Sequence, residues 1–133
     1  MNAIEIEEAV SRLVEEPFDP GEFPFRFLEA FGNKATTIKR LRKGVANRSD
    51  LAPGGLLQRY NVHLKVCDVG QVGETLQALA DSPATMAQKA RYIFATDGES
   101  LEAENLLDGE TLACDLSDLP NYFGFFLHLA GIS

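Results

Sequence analysis

Residues 91–106 read RYIFATDGESLEAENL and carry the clearest fold signal in the chain. The apolar run at the start of this stretch is typical of a buried strand, and Asp97-Gly98 is a dipeptide that favours a tight turn between antiparallel strands. The residues SLEAENL after the turn predict the returning strand. A second turn at Asp108-Gly109 leads into ETLACDL. The sequence therefore predicts three consecutive antiparallel strands.

Upstream of this hairpin, the pattern indicates a strand followed by two helices. In LLQRYNVHLKVCDVG, residues 56–70, apolar residues alternate with polar ones, and the polar side would carry Arg59, His63 and Lys65, which can meet an anion. For His63, without a second His or Cys nearby, a surface or hydrogen-bonded role is favoured. Helical spacing between Val69 and Ala80, followed by SPATMAQKARY, predicts two helices that cross to the hairpin. Such a connection makes the flanking strands parallel, so we expect a mixed sheet.

The first 44 residues predict three short helices. Asn2 can cap the first with Glu5 at the reciprocal position, and the second would start at Pro24 and stop at Gly32. The third is the basic stretch described below. We therefore assign the chain to the α+β class, as a single domain over residues 1–133: N-terminal helices are followed by a mixed sheet of about four strands with two crossing helices.

The most basic stretch is KATTIKRLRKGVANR, residues 34–48, which contains half of the chain's twelve Lys and Arg residues and no acid. We expect Thr36 or Thr37 to cap a helix that Gly44 ends, with Ile38 and Leu41 on its packed side. At about 100° per residue, most of its cations fan over the opposite arc. The six cations of the stretch are Lys34, Lys39, Arg40, Arg42, Lys43 and Arg48.

This positive stretch stands in an acidic chain of net charge −8. Residues 1–29 carry eight acidic and two basic residues, residues 30–91 carry ten basic and four acidic residues, and residues 92–133 carry eight acidic residues and no basic one. A phosphate backbone suits the cationic face, because Lys and Arg release condensed counterions. An ordinary solvated face explains the same pattern. The loop that follows, residues 45–56, could be a plain connector or a mobile segment that closes on a ligand.

Metal-dependent phosphodiester cleavage would need an Asp and an ExK pair on neighbouring strands. The hairpin offers Asp97, Glu102 and Glu104, but Asn105 follows the second glutamate and no Lys or Arg occurs after Arg91. Nucleotide-loop, zinc-protease and nucleophile-elbow motifs are missing from the sequence. The residues alone therefore assign no catalytic side chain, no metal ligand and no cofactor site.

The remaining composition indicates an ordinary globular domain. With 45% hydrophobic residues the chain can bury one core, and the acidic N-terminus does not resemble a signal peptide, so we expect a cytoplasmic protein without a membrane partner. Cys67 and Cys114 lack metal-site spacing and are expected to be reduced thiols. The segment PNYFGFFLHLAGI, residues 120–132, is too apolar to be exposed and must pack on the core or on another domain.

The chain as a whole resembles the N-terminal region of large bacterial DNA methyltransferases of the type IIG or MmeI-like class. The strings that carry this resemblance are EFPFRFLEAFGNKATTIKRLR, LLQRYNVHLKVCD, SPATMAQKARYIFATDGESLEAENL and NYFGFFLHLAGIS. The resemblance implies a parent enzyme that methylates adenine in DNA with S-adenosylmethionine, in restriction-modification or phage defence. The methyltransferase motifs of such enzymes lie outside these residues, so we expect an excised domain that does not methylate alone.

Some relatives of this class cut DNA with their N-terminal domain, and the resemblance implies a restriction-endonuclease-like core. Here only Asp97 and Glu102 or Glu104 match, without the lysine, which indicates a degenerate core. We therefore expect an accessory domain whose partners are the DNA phosphate backbone, through the six cations, and the rest of the methyltransferase. The alternatives are an active Mg²⁺-dependent endonuclease and a purely structural module that docks its apolar C-terminal segment on the methyltransferase body.

Overall fold

A computed structural model describes residues 1–131, and these form an α+β domain, as predicted. The helices are α1 (Ala3–Glu15), α2 (Phe23–Ala30), α3 (Ala35–Arg42), α4 (Val72–Asp81) and α5 (Pro83–Ala87). The strands are β1 (Gly55–Gln58), β2 (Val62–Val66), β3 (Tyr92–Thr96), β4 (Ser100–Asn105) and β5 (Thr111–Asp115). A 3₁₀ segment, Leu116–Ala130, follows the last strand.

The strands form one mixed sheet in the order β1-β2-β3-β4-β5. Strands β2 and β3 are parallel because α4 and α5 cross between them, and every other neighbouring pair is antiparallel. The predicted β3–β4 hairpin is confirmed. At its turn Gly98 has φ +92°, and a Cβ there would lie 2.7 Å from the Phe18 ring, so the turn requires glycine.

The sheet has five strands rather than about four, because the segment predicted as one strand is a hairpin. The chain turns back at Tyr60, a non-glycine residue with φ +70°, and Gln58 pairs with Val62 across the turn. The alternation of apolar residues continues across the turn, which is why it indicated one uninterrupted strand.

The two faces of the sheet are covered by different helices. Helices α1–α3 and the 3₁₀ segment cover the larger core, at whose centre Phe27 packs on Phe94 and Phe126 with ring centres 4.9 and 5.3 Å apart. On the other face α4 buries Val72 and Leu79 in a smaller cluster. The apolar C-terminal stretch thus packs on the domain's own core, except for Ile132, which lies outside the described residues.

The helix boundaries follow the sequence closely, with one exception. Asn2 Oδ1 accepts a hydrogen bond from the Glu5 N–H at 2.9 Å while Glu5 Oε1 accepts from the Asn2 N–H at 3.1 Å, which confirms the predicted cap of α1. Helix α3 starts after Lys34, without a side-chain cap, so the predicted cap at Thr36 or Thr37 is wrong. Among residues 1–131, no helix combines the length and apolar character needed to cross a membrane.

Candidate nucleic-acid interface

Helix α3 is fixed to the domain by one face, as its spacing predicts. Ile38 and Leu41 are 4% and 2% exposed, and both belong to the larger core. Gly44 ends the helix with φ +79°. Because the apolar side chains are fully used in packing, the basic side chains are left on the solvent side.

Arg42 is the one predicted DNA-binding residue whose guanidinium is engaged within the described chain. It donates two hydrogen bonds to the Glu22 carboxylate, at 2.5 and 2.9 Å, and lies 4.4 Å from the centre of the Phe25 ring. The hydrogen bond from Arg42 lowers the pKa of Glu22, and the same bond raises the pKa of Arg42. Arg42 therefore joins α3 to α2, and its contact with DNA stays a prediction.

The other five predicted cations are exposed and form neither of the two ion pairs found in residues 1–131. Cations in the last turn of α3 also stabilise the negative end of the helix dipole, which is a structural reason for their presence. That reason does not extend to Lys34, which precedes the helix, or to Arg48, which follows it. The five residues are Lys34, Lys39, Arg40, Lys43 and Arg48.

The loop after α3 is a tightly held connector. Asn47 Oδ1 accepts hydrogen bonds from the N–H groups of Ser49 and Leu57, at 3.0 and 2.9 Å, and its amide donates to the Gly55 carbonyl. The Arg48 N–H donates to the Leu57 carbonyl at 3.0 Å. The backbone of Arg48 is thereby held beside β1, while its side chain remains exposed.

His63, one of the three polar-side residues that could meet an anion, is buried at 0% exposure. Its Nε2 lies 2.7 Å from Ser49 Oγ and its Nδ1 2.8 Å from Thr85 Oγ1. The Thr85 hydroxyl donates to the Leu79 carbonyl, so it accepts from Nδ1–H, and Nε2 accepts from Ser49. Desolvation lowers the pKa of His63 despite the opposing charge of Asp50. His63 is therefore a hydrogen-bonded structural residue, as favoured for a lone strand histidine, and does not meet an anion.

The hairpin carboxylate Asp97 is used by the backbone around it. Its Oδ1 accepts hydrogen bonds from the N–H groups of Glu99 and Ser100, at 2.9 and 2.8 Å, and its Oδ2 accepts from Gly70 at 3.0 Å. Desolvation raises the pKa of Asp97, but the bonds from Ser100, Gly70 and Glu99 outweigh it and the pKa is lowered. Asp97 is 8% exposed and caps its own turn.

The second hairpin acid, Glu102, lies beside helix α4. Glu102 lies opposite Ala95 in the sheet, and its Oε2 is 3.7 Å from the position of a Cβ on Gly73, beside the first turn of α4. A helix N-terminus favours a carboxylate there. Both oxygens of Asp97 already accept backbone hydrogen bonds, so its carboxylate is held by the turn. In residues 1–131 no cluster of three or more His, Cys, Asp or Glu side chains could hold a metal ion.

The comparison with protein families decides where this chain belongs. The model of the family described as "MmeI, N-terminal domain" matches residues 1–133. The chain belongs to the MmeI N-terminal domain family. The expected resemblance to MmeI-like methyltransferases is thereby confirmed, over the whole chain.

This member of the MmeI N-terminal domain family is also similar to a protein named DNA methyltransferase A from Bacillus subtilis (strain 168). The two are 27% identical over 132 residues, which is 99% of this chain and 15% of that relative. The chain thus spans about one-seventh of the relative's length. No solved structure matches.

Proposed function

We propose that this domain is the N-terminal part of a DNA methyltransferase and that the outer face of α3 holds the phosphate backbone of duplex DNA. The parent would be an adenine methyltransferase of a restriction-modification or phage-defence system. It would act in the cytoplasm and bind S-adenosylmethionine outside these residues. Membership of the MmeI N-terminal domain family and the similarity to a DNA methyltransferase support this proposal.

The observation that carries the DNA contact is the set of five exposed, unpaired cations on and beside α3. In a chain of net charge −8, long-range attraction to DNA is weak, so binding depends on this local concentration of positive charge. Each phosphate contact releases counterions and contributes about 0.9 to the slope of log affinity against log salt concentration. Such contacts position a protein on DNA without selecting a sequence.

The test is fluorescence anisotropy of a labelled blunt duplex titrated with the protein over a range of salt concentrations. The double variant Arg40→Glu, Lys43→Glu should weaken binding at least about tenfold and reduce the salt slope by about 2, since two phosphate contacts are lost. Both side chains are exposed and unpaired, so the thermal midpoint should fall only slightly, because the new glutamates lie at the negative end of the helix dipole.

The charge-matched control is Arg12→Glu with Arg26→Glu, which changes the net charge equally on α1 and α2; because it also breaks the ion pair between Arg26 and Glu16, its thermal midpoint is measured alongside. It should retain the salt slope of the wild type, because neither residue belongs to the proposed surface. Equal losses in the two double variants would reveal only a net-charge effect. Unchanged affinity in the α3 variant would support the purely structural module instead, and DNA cleavage on addition of Mg²⁺ would support the endonuclease.

A further inference from the structure

A second surface lies at the end of the sheet where the β1–β2 turn, the loop before β3 and the β4–β5 turn meet. Together with α5, these segments form an open groove of about 380 Å³. Three large apolar side chains in it face solvent: Tyr60 is 57% exposed, Met86 83% and Leu107 72%. Exposed apolar side chains grouped in one groove indicate a binding surface.

The groove is also positively charged. Lys89 and Arg91 line it, and no acid is among its lining residues, although Asp108 follows Leu107 in the same turn. The Arg59 guanidinium lies 4.9 Å from the centre of the Tyr60 ring, so a further cation is stacked at its rim. A ligand that fits this groove combines flat apolar groups with negative charge.

Backbone hydrogen bonds hold the groove in shape. The Tyr60 N–H donates to the Gln88 carbonyl at 3.0 Å, and the Arg91 N–H donates to the Asn61 carbonyl at 2.9 Å. Tyr60 and Lys89 both have positive φ, at 70° and 56°, and each lies where its segment turns. The aromatic ring and the lysine are thus presented by two turns that are tied to each other.

The groove is connected to the start of the basic helix. Gln58, at the end of β1, donates from its side-chain amide to Asn33 Oδ1 at 2.7 Å. Asn33 directly precedes Lys34, the first cation of the proposed DNA surface. The β1–β2 turn with Arg59 and Tyr60 therefore adjoins the N-terminal end of α3.

We propose that this groove binds unpaired nucleotides of a DNA whose duplex backbone lies on α3. Duplex DNA turns its phosphates outward and stacks its bases inside, so its base faces cannot contact the exposed side chains of Tyr60, Met86 and Leu107. An unpaired strand offers base faces that stack on aromatic and guanidinium planes, and phosphates for the flanking cations. The inference rests on the proposed function and adds a preference for duplex joined to single strand.

The experiment compares the affinity of the protein for a blunt duplex with its affinity for the same duplex carrying a thymidine overhang. Stacking of one base is expected to tighten binding of the overhang DNA about tenfold. Tyr60→Asn should remove this gain and leave blunt-duplex affinity unchanged; asparagine is chosen because it tolerates positive φ. Tyr122→Asn, at a tyrosine 48% exposed on the 3₁₀ segment, is the matched control and should keep the gain.

A second variant is needed in case Tyr60→Asn alters the fold of the β1–β2 turn. Met86→Glu places an acid on an 83% exposed position of the groove and should also abolish the overhang gain. Equal wild-type affinity for the two DNAs, or a gain that survives both Tyr60→Asn and Met86→Glu, would overturn the proposal. Because charge reversal on α3 is read from the blunt duplex alone, failure of the groove and failure of the α3 surface are distinguishable.

Discussion

Helix α3 and the β3–β4 hairpin are the two charged features that the sequence offers as sites, and the fold treats them in opposite ways. Five cations on and around α3 extend into solvent with no partner in the described chain. On the hairpin, Asp97 is 8% exposed and accepts three backbone hydrogen bonds. A charged side chain is therefore available for a ligand only where the backbone does not need it.

The backbone explains this difference. Backbone groups inside a helix pair with one another, so the five exposed cations on and beside α3 are not used as hydrogen-bond partners of the backbone. A tight turn leaves N–H groups unpaired, and the short side chain of an aspartate reaches them readily. The position of an acid directly before a turn glycine thus favours a capping role over metal binding.

The largest expected effect comes from removing the Asp97 carboxylate of the hairpin. Asp97→Ala removes the acceptor of the Gly70, Glu99 and Ser100 N–H groups and should lower the free energy of unfolding by about 3 kcal/mol, about 1 kcal/mol per hydrogen bond. Asp97→Asn, which keeps one acceptor oxygen, should cost less. Urea denaturation followed by circular dichroism measures both.

Glu104→Ala is the matched control for Asp97→Ala, since Glu104 lies on the same hairpin and its carboxylate accepts no hydrogen bond from residues 1–131. Its stability should equal that of the wild type. If Asp97→Ala proved as stable as Glu104→Ala, the capping role of Asp97 would be wrong and the endonuclease hypothesis would regain its candidate ligand.

An intermediate effect on stability is expected from protonation of His63, which is buried in the folded state. Desolvation lowers its pKa in the folded state, so below the unfolded-state value of 6.5 the unfolded chain binds more protons and the folded state loses stability. Asp50 opposes this shift and Lys65 adds to it. The free energy of unfolding of the wild type should therefore fall as pH decreases through this region.

The measurement is a set of urea denaturation curves from about pH 7.5 down to about pH 5.5. His63→Asn, whose amide can donate to Thr85 but does not titrate, should flatten the dependence. Asp97 contributes a separate loss at lower pH, because its pKa is lowered from 3.8. If the free energy of unfolding of the wild type stays constant between about pH 7.5 and about pH 5.5, His63 has the same pKa in the folded and unfolded chains.

The smallest expected effect is a difference in stability between the variants Arg42→Ala and Arg40→Ala. Arg42→Ala removes the contacts with Glu22 and Phe25 and should lower the denaturation midpoint slightly, because an exposed ion pair contributes little. Arg40→Ala should leave the midpoint unchanged and weaken duplex binding. The opposite result, with Arg42 more important for DNA than Arg40, would mean that the Glu22 pair opens on binding.

Much of the fold could be predicted from the sequence because its signals are local. The capping pair Asn2 and Glu5, the turn at Asp97-Gly98 and the packed side of α3 each depend on residues within a few positions. The fifth strand was missed because the turn at Tyr60 contains neither glycine nor proline. The groove was missed because its residues come from two turns and from α5 with the loop after it, which are far apart in sequence.

The sequence by itself determined the α+β class, the order of most elements and the concentration of positive charge on α3, because periodicity and capping act over one or two turns of chain. Only the tertiary structure decided which charged side chains have partners. Helices α4 and α5 cover the sheet face that carries His63, α2 brings Glu22 to Arg42, and the loop before α4 brings Gly70 to Asp97. Burial and pairing depend on what packs from distant parts of the chain, and that information is absent from any single stretch.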